Sequence, residues 1–247
     1  MSGKTRGYLS ALLFVVLSWH LLSLILDKPF FPQPFPVMRE LLFRTLHGNL
    51  PGHFLVSVYR VLASLIISFV LAVPLGLVVG RNPALDRLVS PVIYLLYPLP
   101  KTVFLPLIVV LLGLGDSPKI LLISLIIFFQ ILVAARDAAK DIAPQWVLSM
   151  KSLHATRWQV YRHLVWPSCL PNIFTSLRIS LGTAIAVLFL AETFASTDGL
   201  GYFILDTMEK REFAAMYAGI LAMGLLGVAS YLLVDLLENR FCRWNRF

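Results

Sequence analysis

Residues 136–171 read RDAAKDIAPQWVLSMKSLHATRWQVYRHLVWPSCLP, the longest polar stretch between two very apolar parts of the chain. Both flanking parts contain apolar runs of about 20 residues, the length that crosses a bilayer as a helix. The basic residues of the segment are Arg136, Lys140, Lys151, Arg157 and Arg162, joined by His154 and His163. We therefore predict a polar loop, folded as two short helices, between two blocks of membrane helices.

The composition is that of a membrane protein. Of the 247 residues, 58% are hydrophobic and 14% are charged, and the mean hydropathy is +0.81. A soluble domain carries about 25% charged residues. The net charge of +8 arises from basic residues placed between apolar segments, which argues against a nucleic-acid-binding face. Cys169 and Cys242 fall at predicted cytoplasmic ends, where a disulfide is not expected, and no Cys/His spacing predicts a metal or cofactor site.

Six apolar segments are predicted to span the membrane, which makes the fold class all-α and polytopic. They are residues 8–26, 54–79, 88–112, 120–135, 173–195 and 214–237. A cleaved signal peptide is the alternative for the first, but the run is long for that role and lacks a small-residue cleavage site. Pro98 and Pro100 interrupt the third segment, and such a break is tolerated where neighbours or a cavity satisfy the freed carbonyls.

The connections between these segments are predicted from their prolines, glycines and charges. Residues 27–53 hold five prolines and are too broken to span, although 37–46 fit a short amphipathic surface helix. The other predicted connections are turns at 81–87 and 113–119 and a loop at 196–213. Gly76 and Gly80 form a GxxxG pattern, which permits close approach of two helices.

Orientation follows from the distribution of basic residues. With both ends inside, thirteen of the 21 Lys and Arg residues fall in inner segments and six in outer ones, while Arg60 and Lys101 are intramembrane. Short cytoplasmic loops carry the excess of positive charge. We therefore predict that both termini, and the polar loop at 136–171, are cytoplasmic.

The polar loop shows helix signals of its own. Pro144 suits the first turn of a helix, in which Val147, Met150 and Leu153 share a face. Thr156 and Gln159 have capping-box spacing, so a second helix is predicted to begin near Arg157 and to end before Pro167. The apolar ridge can be buried by a partner, by the chain's own bundle or by lipid headgroups, and the residues alone leave these three alternatives open.

This loop resembles the EAA loop of bacterial ABC-importer permeases. The resemblance lies in Ser152-Leu-His-Ala-Thr-Arg-Trp158, in Leu164-Val-Trp-Pro167 and in Leu170-Pro171. Further pieces resemble the nitrate/sulfonate/taurine type of permease in order and spacing, over about residues 54–235. These pieces are Tyr97-Pro-Leu-Pro-Lys-Thr, Leu105-Pro106, Gly113-Leu-Gly115, Ala191-Glu192 and Gly199-Leu-Gly-Tyr202.

Two positions depart from the family pattern. Leu148-Ser149-Met150 stand where the pattern reads Glu-Ala-Ala, and His154 stands at the glycine that joins the two helices. Histidine is among the non-glycine residues enriched at positive φ, so the turn is expected to survive at a cost of about 1 kcal/mol. Because the acid is missing, we expect either a partner surface that differs from the common one or weaker coupling.

The resemblance implies a bacterial inner-membrane permease that works with other polypeptides. These are cytoplasmic ABC ATPase subunits, an external solute-binding protein and a second permease copy. The chain itself is also expected to contact membrane lipid. The chain lacks GxxxxGK[ST], so the ATPase chemistry resides elsewhere and the chain itself is not an enzyme. The expected ATPase-coupling residues are Val147, Leu148, Met150, Lys151, Ser152, Leu153, His154, Ala155, Arg157 and Trp158. The domain boundaries expected are 1–53 for the first helix and external segment, 54–237 for the transport domain and 238–247 for a basic tail.

Polar residues within the spans are candidates for the translocation pathway, although hydrogen bonding between helices is an equal alternative. They are Lys101, Gln130, Glu192 and Thr193. Lys101 suits an anionic solute such as a sulfonate or nitrate, and pyrimidine- or thiamine-precursor-like solutes stay open. For Glu192 a further alternative is a rim charge that pairs with Lys210 or Arg211.

Two rival functions are less consistent with the residues. A secondary transporter or channel working alone would need acids at span centres for ion coupling, and an inverted repeat; neither is visible. A membrane enzyme would need a nucleophile–base pair or a metal cluster, which the sequence does not offer.

Overall fold

A computed structural model describes residues 3–246, except for the side chains of residues 3–6, 8, 9, 245 and 246. Throughout this range the regular structure is helical, which confirms the all-α class. The helices are α1 (Gly3–Leu26), α2 (Pro34–Leu46), α3 (Leu50–Arg81), α4 (Pro83–Leu96), α5 (Leu105–Leu112), α6 (Asp116–Lys140), α7 (Pro144–Ser152), α8 (Arg157–Val160), α9 (Trp166–Thr193), α10 (Leu200–Glu209) and α11 (Phe213–Phe241). Short 3₁₀ turns at Lys101–Phe104 and Arg243–Arg246 and a π-helical turn at Tyr161–Val165 complete the description.

Among the described residues, four helices are long and apolar enough to cross a membrane. They are Leu50–Arg81, Asp116–Lys140, Arg157–Thr193 and Phe213–Phe241. Pro83–Leu96 and Lys101–Leu112 make a fifth candidate as a pair, but they are bent by 77° with respect to each other. The predicted third span is therefore a broken helix, as expected from the missing donors of Pro98 and Pro100. Ser10–Leu26 is a shorter apolar helix.

One compact unit comprises the chain up to Ser57 together with Glu192–Leu225. In it the α1 residue Trp19 stacks on Tyr217 with ring centroids 5.9 Å apart, and its indole N–H donates to the Pro32 carbonyl at 3.1 Å. The surface helix predicted at 37–46 is present as α2. Its Arg44 pairs with Glu40 and Glu212, each at 2.7 Å.

The second unit comprises Val58–Ala191 together with the chain from Leu226 onward. The close packing predicted from Gly76 and Gly80 is confirmed here, because α3 and α6 touch at both positions. A Cβ added at Gly76 would lie 2.7 Å from the Leu132 carbonyl oxygen, and one at Gly80 would lie 2.2 Å from the Arg136 carbonyl oxygen. Glycine is therefore required where these two backbones meet.

Several predicted boundaries are wrong. The turns at 81–87 and 113–119 are mostly helical, because α4 begins at Pro83 and α6 at Asp116. The polar loop is shorter than residues 136–171, since α6 continues to Lys140. The loop predicted at 196–213 contains α10, whose first amides are bound by side chains of distant segments.

The second loop helix does not end before Pro167. It continues through the π-helical turn into α9, so that Arg157–Thr193 forms one long apolar helix. In this turn the Trp166 amide donates to Tyr161, five residues back. The bonding ladder is therefore already shifted where Pro167 lacks its donor, and the helix accommodates the proline without ending.

Candidate functional site

A helix–turn–helix, residues 144–165, exposes several large apolar side chains, and we call it the elbow. Pro144 lies in the first turn of α7, where its missing amide costs nothing, and α7 has no buried residue. The exposed fractions are 61% for Leu148, 78% for Leu153 and 72% for Trp158. Large apolar side chains exposed this far beside basic residues indicate a surface that a partner covers.

The turn of the elbow is built on His154. Its φ of +55° confirms the predicted positive value. The His154 amide donates to Lys151 at 2.9 Å and the Ala155 amide to Met150 at 3.1 Å, which is the bonding of a Schellman motif. Glycine normally occupies this position, so histidine here carries the strain of a left-handed residue.

The start of α8 is a capping box, as its spacing predicted. The Gln159 amide donates to Thr156 Oγ1 at 3.3 Å, and the Thr156 amide donates to Gln159 Oε1 at 2.7 Å. Hydrogen bonds between nearby residues hold both the end of α7 and the start of α8. The angle between the two helices is therefore determined within residues 150–159. The elbow can thus move as a rigid piece.

The elbow is attached to the end of α6, and this end is locked by an ion-pair cluster. Arg136 Nε donates to Asp86 at 2.5 Å and Lys140 Nζ donates to the same carboxylate at 2.9 Å. Arg136 is buried, with Ser90 accepting a further hydrogen bond at 2.6 Å. The prediction that Arg136 belongs to a solvated loop is therefore wrong, because its guanidinium joins α6 to the start of α4. The end of α6, from which the chain continues into the elbow, is thus joined to α4 by side-chain contacts.

Lys101 caps the carboxyl end of α4. Its ammonium donates to the carbonyls of Leu96 at 2.9 Å and Tyr97 at 3.0 Å, and it lies 4.7 Å from the centroid of the Phe129 ring. A lysine ammonium has three donors, so two satisfy carbonyls that the helix end leaves open. Lys101 therefore has a structural role whether or not a solute also contacts it.

Gln130 joins α6 to α9. Its Nε2 donates to Thr183 Oγ1 at 3.2 Å, and its backbone carbonyl accepts from Ser176 Oγ at 3.3 Å. Gln130 Oε1 is buried without a hydrogen-bond partner within the described part of the chain. These contacts favour helix-to-helix bonding, the alternative considered for this residue. Lys101 and Gln130 belong to the second unit, and Lys101 contacts the ring of Phe129, the residue before Gln130.

Glu192 is not a rim charge: it is fully buried, in the unit formed by the chain up to Ser57 and Glu192–Leu225. Its carboxylate accepts from Ser57 Oγ at 2.8 Å and from the Gly201 amide at 2.8 Å. Lys210 instead pairs with Asp206 at 2.7 Å. The interpretation of Glu192 as a partner of Lys210 or Arg211 is wrong because the carboxylate binds the start of α10.

The amino terminus of α10 is held entirely by side chains from elsewhere in this unit. The amides of Gly199, Leu200 and Gly201 donate to His53 Nδ1 at 3.2 Å, Ser57 Oγ at 2.8 Å and Glu192 at 2.8 Å, respectively. Negative charge at a helix amino terminus is stabilising. Two of the motif pieces are thus joined, because Glu192 of the first accepts a hydrogen bond from Gly201 of the second. Thr193, the next predicted pathway residue, is half-buried beside Glu192 in the chain.

An ion pair between a buried arginine and a partly exposed aspartate, which the sequence did not reveal, lies in the second unit. Arg60, whose side chain is 1% exposed, contacts Asp116 through Nη2 at 2.6 Å and Nε at 2.7 Å. The sequence shows Arg60 as a charged residue within an apolar segment, but it does not indicate a partner. Asp116 falls in the predicted turn at 113–119, and it meets Arg60 because α6 begins there.

Comparison with known proteins gives one consistent result. The family model described as binding-protein-dependent transport system inner membrane component matches residues 72–243. The taurine transport system permease protein of Escherichia coli (strain K12) is 32% identical over 247 residues, which covers 97% of this chain and 88% of the relative. The putative aliphatic sulfonates transport permease protein of Bacillus subtilis (strain 168) is 25% identical, covering 98% and 90%. A MetNI methionine ABC transporter structure with inward-facing conformations has a TM-score of 0.69 at 18% identity, covering 80% of this chain and 98% of that chain, a likeness of fold alone.

Proposed function

This chain belongs to the family of binding-protein-dependent transport system inner membrane components, and we propose that it carries a small sulfonate of the taurine type across the inner membrane. It is the permease subunit of an ATP-driven importer, and ATP is hydrolysed by a separate subunit. The single observation that carries the substrate proposal is the 32% identity to a taurine permease over almost the whole chain.

Lys101 is our candidate for contact with the sulfonate. Two of its three donors bind carbonyls at the end of α4, which leaves one donor and the positive charge for an anion. The residue follows the proline break between α4 and α5, where backbone irregularity in a membrane protein usually lines a cavity. Gln130, Glu192 and Thr193 stay weaker candidates, since bonding between segments explains the contacts of Gln130 and Glu192.

For the topology we propose six spans with both termini in the cytoplasm. The apolar part of α1, Ser10–Leu26, lies at the lower end of the length range that crosses a bilayer as a helix. The excess of basic residues supports this orientation. We also propose three segments: 1–53 with the first helix and the external segment, 54–237 as the transport domain and 238–247 as the basic tail. Arg157–Thr193 is 37 residues long, about 55 Å, so one end of it must project from the bilayer.

The elbow is proposed to dock in a groove of the cytoplasmic ATPase. Its exposed apolar residues supply the buried contact, and its closed turn and the Asp86 cluster carry the movement to α4 and α6. The residues proposed for this contact are Val147, Leu148, Met150, Lys151, Ser152, Leu153, His154, Ala155, Arg157 and Trp158. An external solute-binding protein delivers the solute, and a second copy of the chain completes the pathway as a homodimer surrounded by lipid.

Reconstituted uptake tests this function. The tagged full-length chain is purified with its bound ATPase, placed in liposomes and supplied with ATP on the ATPase side and with the cognate binding protein and labelled taurine on the other. Uptake that requires both ATP and the binding protein is expected, with other sulfonates competing. Uptake by the purified chain alone, without ATP, would favour a secondary transporter instead.

The orientation of the elbow has its own test. A cysteine replacing Leu153, which is 78% exposed, should react with a membrane-impermeant maleimide only after the cytoplasmic face is opened. The two native cysteines are buried, so their background labelling should be low. Labelling of Leu153→Cys on intact cells would place the elbow outside and contradict the docking proposal.

A further inference from the structure

The elbow carries cations and no anions. The sequence contains no Asp or Glu between Asp141 and Glu192, while Lys151, Arg157 and Arg162 lie within the elbow. All three side chains are exposed, as are His154 and His163. In the part of the chain that the structure describes, no ion-pair partner approaches Lys151, Arg157 or Arg162.

The cations just before the elbow are treated differently by the fold. Arg136 and Lys140 share the Asp86 carboxylate, at 2.5 and 2.9 Å, and Arg136 also reaches Asp137. The buried cation Arg136 and the exposed cation Lys140 are therefore both neutralised within the chain. Among the described residues, the positive charges of the elbow have no such partner and are open to solvent or to a partner protein. They lie beside exposed apolar side chains, and a partner protein would remove those side chains from water.

The geometry of the ridge places these charges at the edge of any contact. Leu148 is 61% exposed and lies one turn before Lys151, while Trp158, 72% exposed, adjoins Arg157. A cleft of about 390 Å³ beside α7 is lined by the cations Arg81, Lys140 and Lys151 and by one acid, Asp141. An apolar centre with a charged rim is the usual anatomy of a protein interface, and the rim charges complement those of the partner.

We propose that the ATPase groove receiving this elbow is rimmed by carboxylates that face Lys151 and Arg157. This charge arrangement makes the chain selective for its own ATPase, because Lys151 and Arg157 repel any ATPase whose groove is basic opposite them. The inference rests on the proposed function, because it specifies the surface of the partner that the docking proposal requires. Like charges placed opposite each other at an interface suppress the wrong partner more strongly than neutral contacts do.

A matched pair of substitutions at Leu148 tests the sign of the partner's charge. Leu148→Gln and Leu148→Glu remove the same apolar surface and differ only in charge, and the new carboxylate would also lie next to Lys151 on the helix. The full-length chain in nanodiscs of neutral lipid is titrated with the ATPase that purifies with it, at 50 and 300 mM NaCl. Leu148→Glu is expected to bind about fivefold more weakly than Leu148→Gln at 50 mM NaCl, and the difference should shrink at the higher salt as screening increases.

A second pair of variants reverses or removes the charge at Lys151 and Arg157. Lys151→Glu combined with Arg157→Glu should weaken binding at least about tenfold relative to the corresponding double Gln variant, the change expected from losing one close interfacial charge pair. Size-exclusion chromatography of each variant in nanodiscs confirms that these exposed substitutions leave the chain folded.

The outcomes separate the two levels of the proposal. If Leu148→Glu binds as tightly as Leu148→Gln or more tightly, the acidic groove is wrong while ATPase docking stands. If charge reversal alters only the binding of the elbow to vesicles containing anionic lipid, the cations face headgroups and the acidic groove is again wrong. If the unaltered chain binds no ATPase, the proposed function fails and this inference fails with it.

Discussion

Replacing Gly199 by alanine should disrupt the cap of α10 and destabilise its unit. Gly199 has φ +97° and ψ 164°, a region that essentially only glycine occupies. An added Cβ would lie 2.3 Å from Glu192 Cδ and Oε1 and 2.6 Å from Oε2. The fully buried carboxylate must therefore move away from the groups that it binds.

The size of the effect has two contributions. Backbone strain at such a conformation costs about 1–3 kcal/mol. Moving the carboxylate loses at least one hydrogen bond to a charged group, from Ser57 at 2.8 Å or from Gly201 at 2.8 Å, and each is worth about 1.5–3 kcal/mol. The free energy of unfolding should thus fall by about 2.5–6 kcal/mol, which lowers the melting temperature of a chain of this size by about 5–20 °C.

The measurement is thermal unfolding of the detergent-purified chain, followed by tryptophan fluorescence at one fixed scan rate because unfolding of such proteins is often irreversible. Gly224→Ala is the control in the same unit, since a Cβ there meets nothing within 4 Å. Glu192→Ala supplies a second background, in which Gly199→Ala should cost only the strain of the backbone. If Gly199→Ala melts within a degree or so of Gly224→Ala, the proposed contact between Gly199 and Glu192 does not hold α10.

Four further predictions concern the elbow, the α3–α6 contact and the pathway. Leu153→Asp or Trp158→Asp should abolish co-purification of the ATPase at normal membrane levels of the chain, and retained co-purification would contradict docking through these exposed residues. His154→Gly should relieve about 1 kcal/mol of strain at φ +55° and leave ATP-driven uptake unchanged or faster, whereas slower uptake would give the imidazole a role of its own. Gly80→Leu should separate α3 from α6 and reduce the amount of folded chain, since even a Cβ would lie 2.2 Å from the Arg136 carbonyl oxygen, while Gly182→Ala, with open space around it, should not. Lys101→Ala should raise the KM for sulfonate uptake more than Lys101→Arg does, and a loss of folded protein with unchanged KM would make Lys101 only a helix cap.

Predictions from local spacing were reliable where the interacting groups are near one another in the chain. The capping box joins residues three apart, and the left-handed turn at His154 depends on bonds that reach back to Met150. Gly76 and Gly80 indicated a close contact but not the partner, which proved to be α6. The six-span interpretation rests on apolar length, and the described helices support four spans, or five with the bent pair.

The helical membrane class, the family resemblance and the local shape of the elbow follow from the sequence alone, because apolar length, capping and turn preferences act over a few residues. The partners of the charged residues, by contrast, became known only from the packing of the helices. Glu192 meets Ser57 across 135 positions, Arg136 meets Asp86 across 50 and Arg60 meets Asp116 across 56. A buried charge is stabilised by whichever opposite charge or amide the fold brings within hydrogen-bond distance, and that partner is chosen by how the helices pack rather than by spacing along the chain.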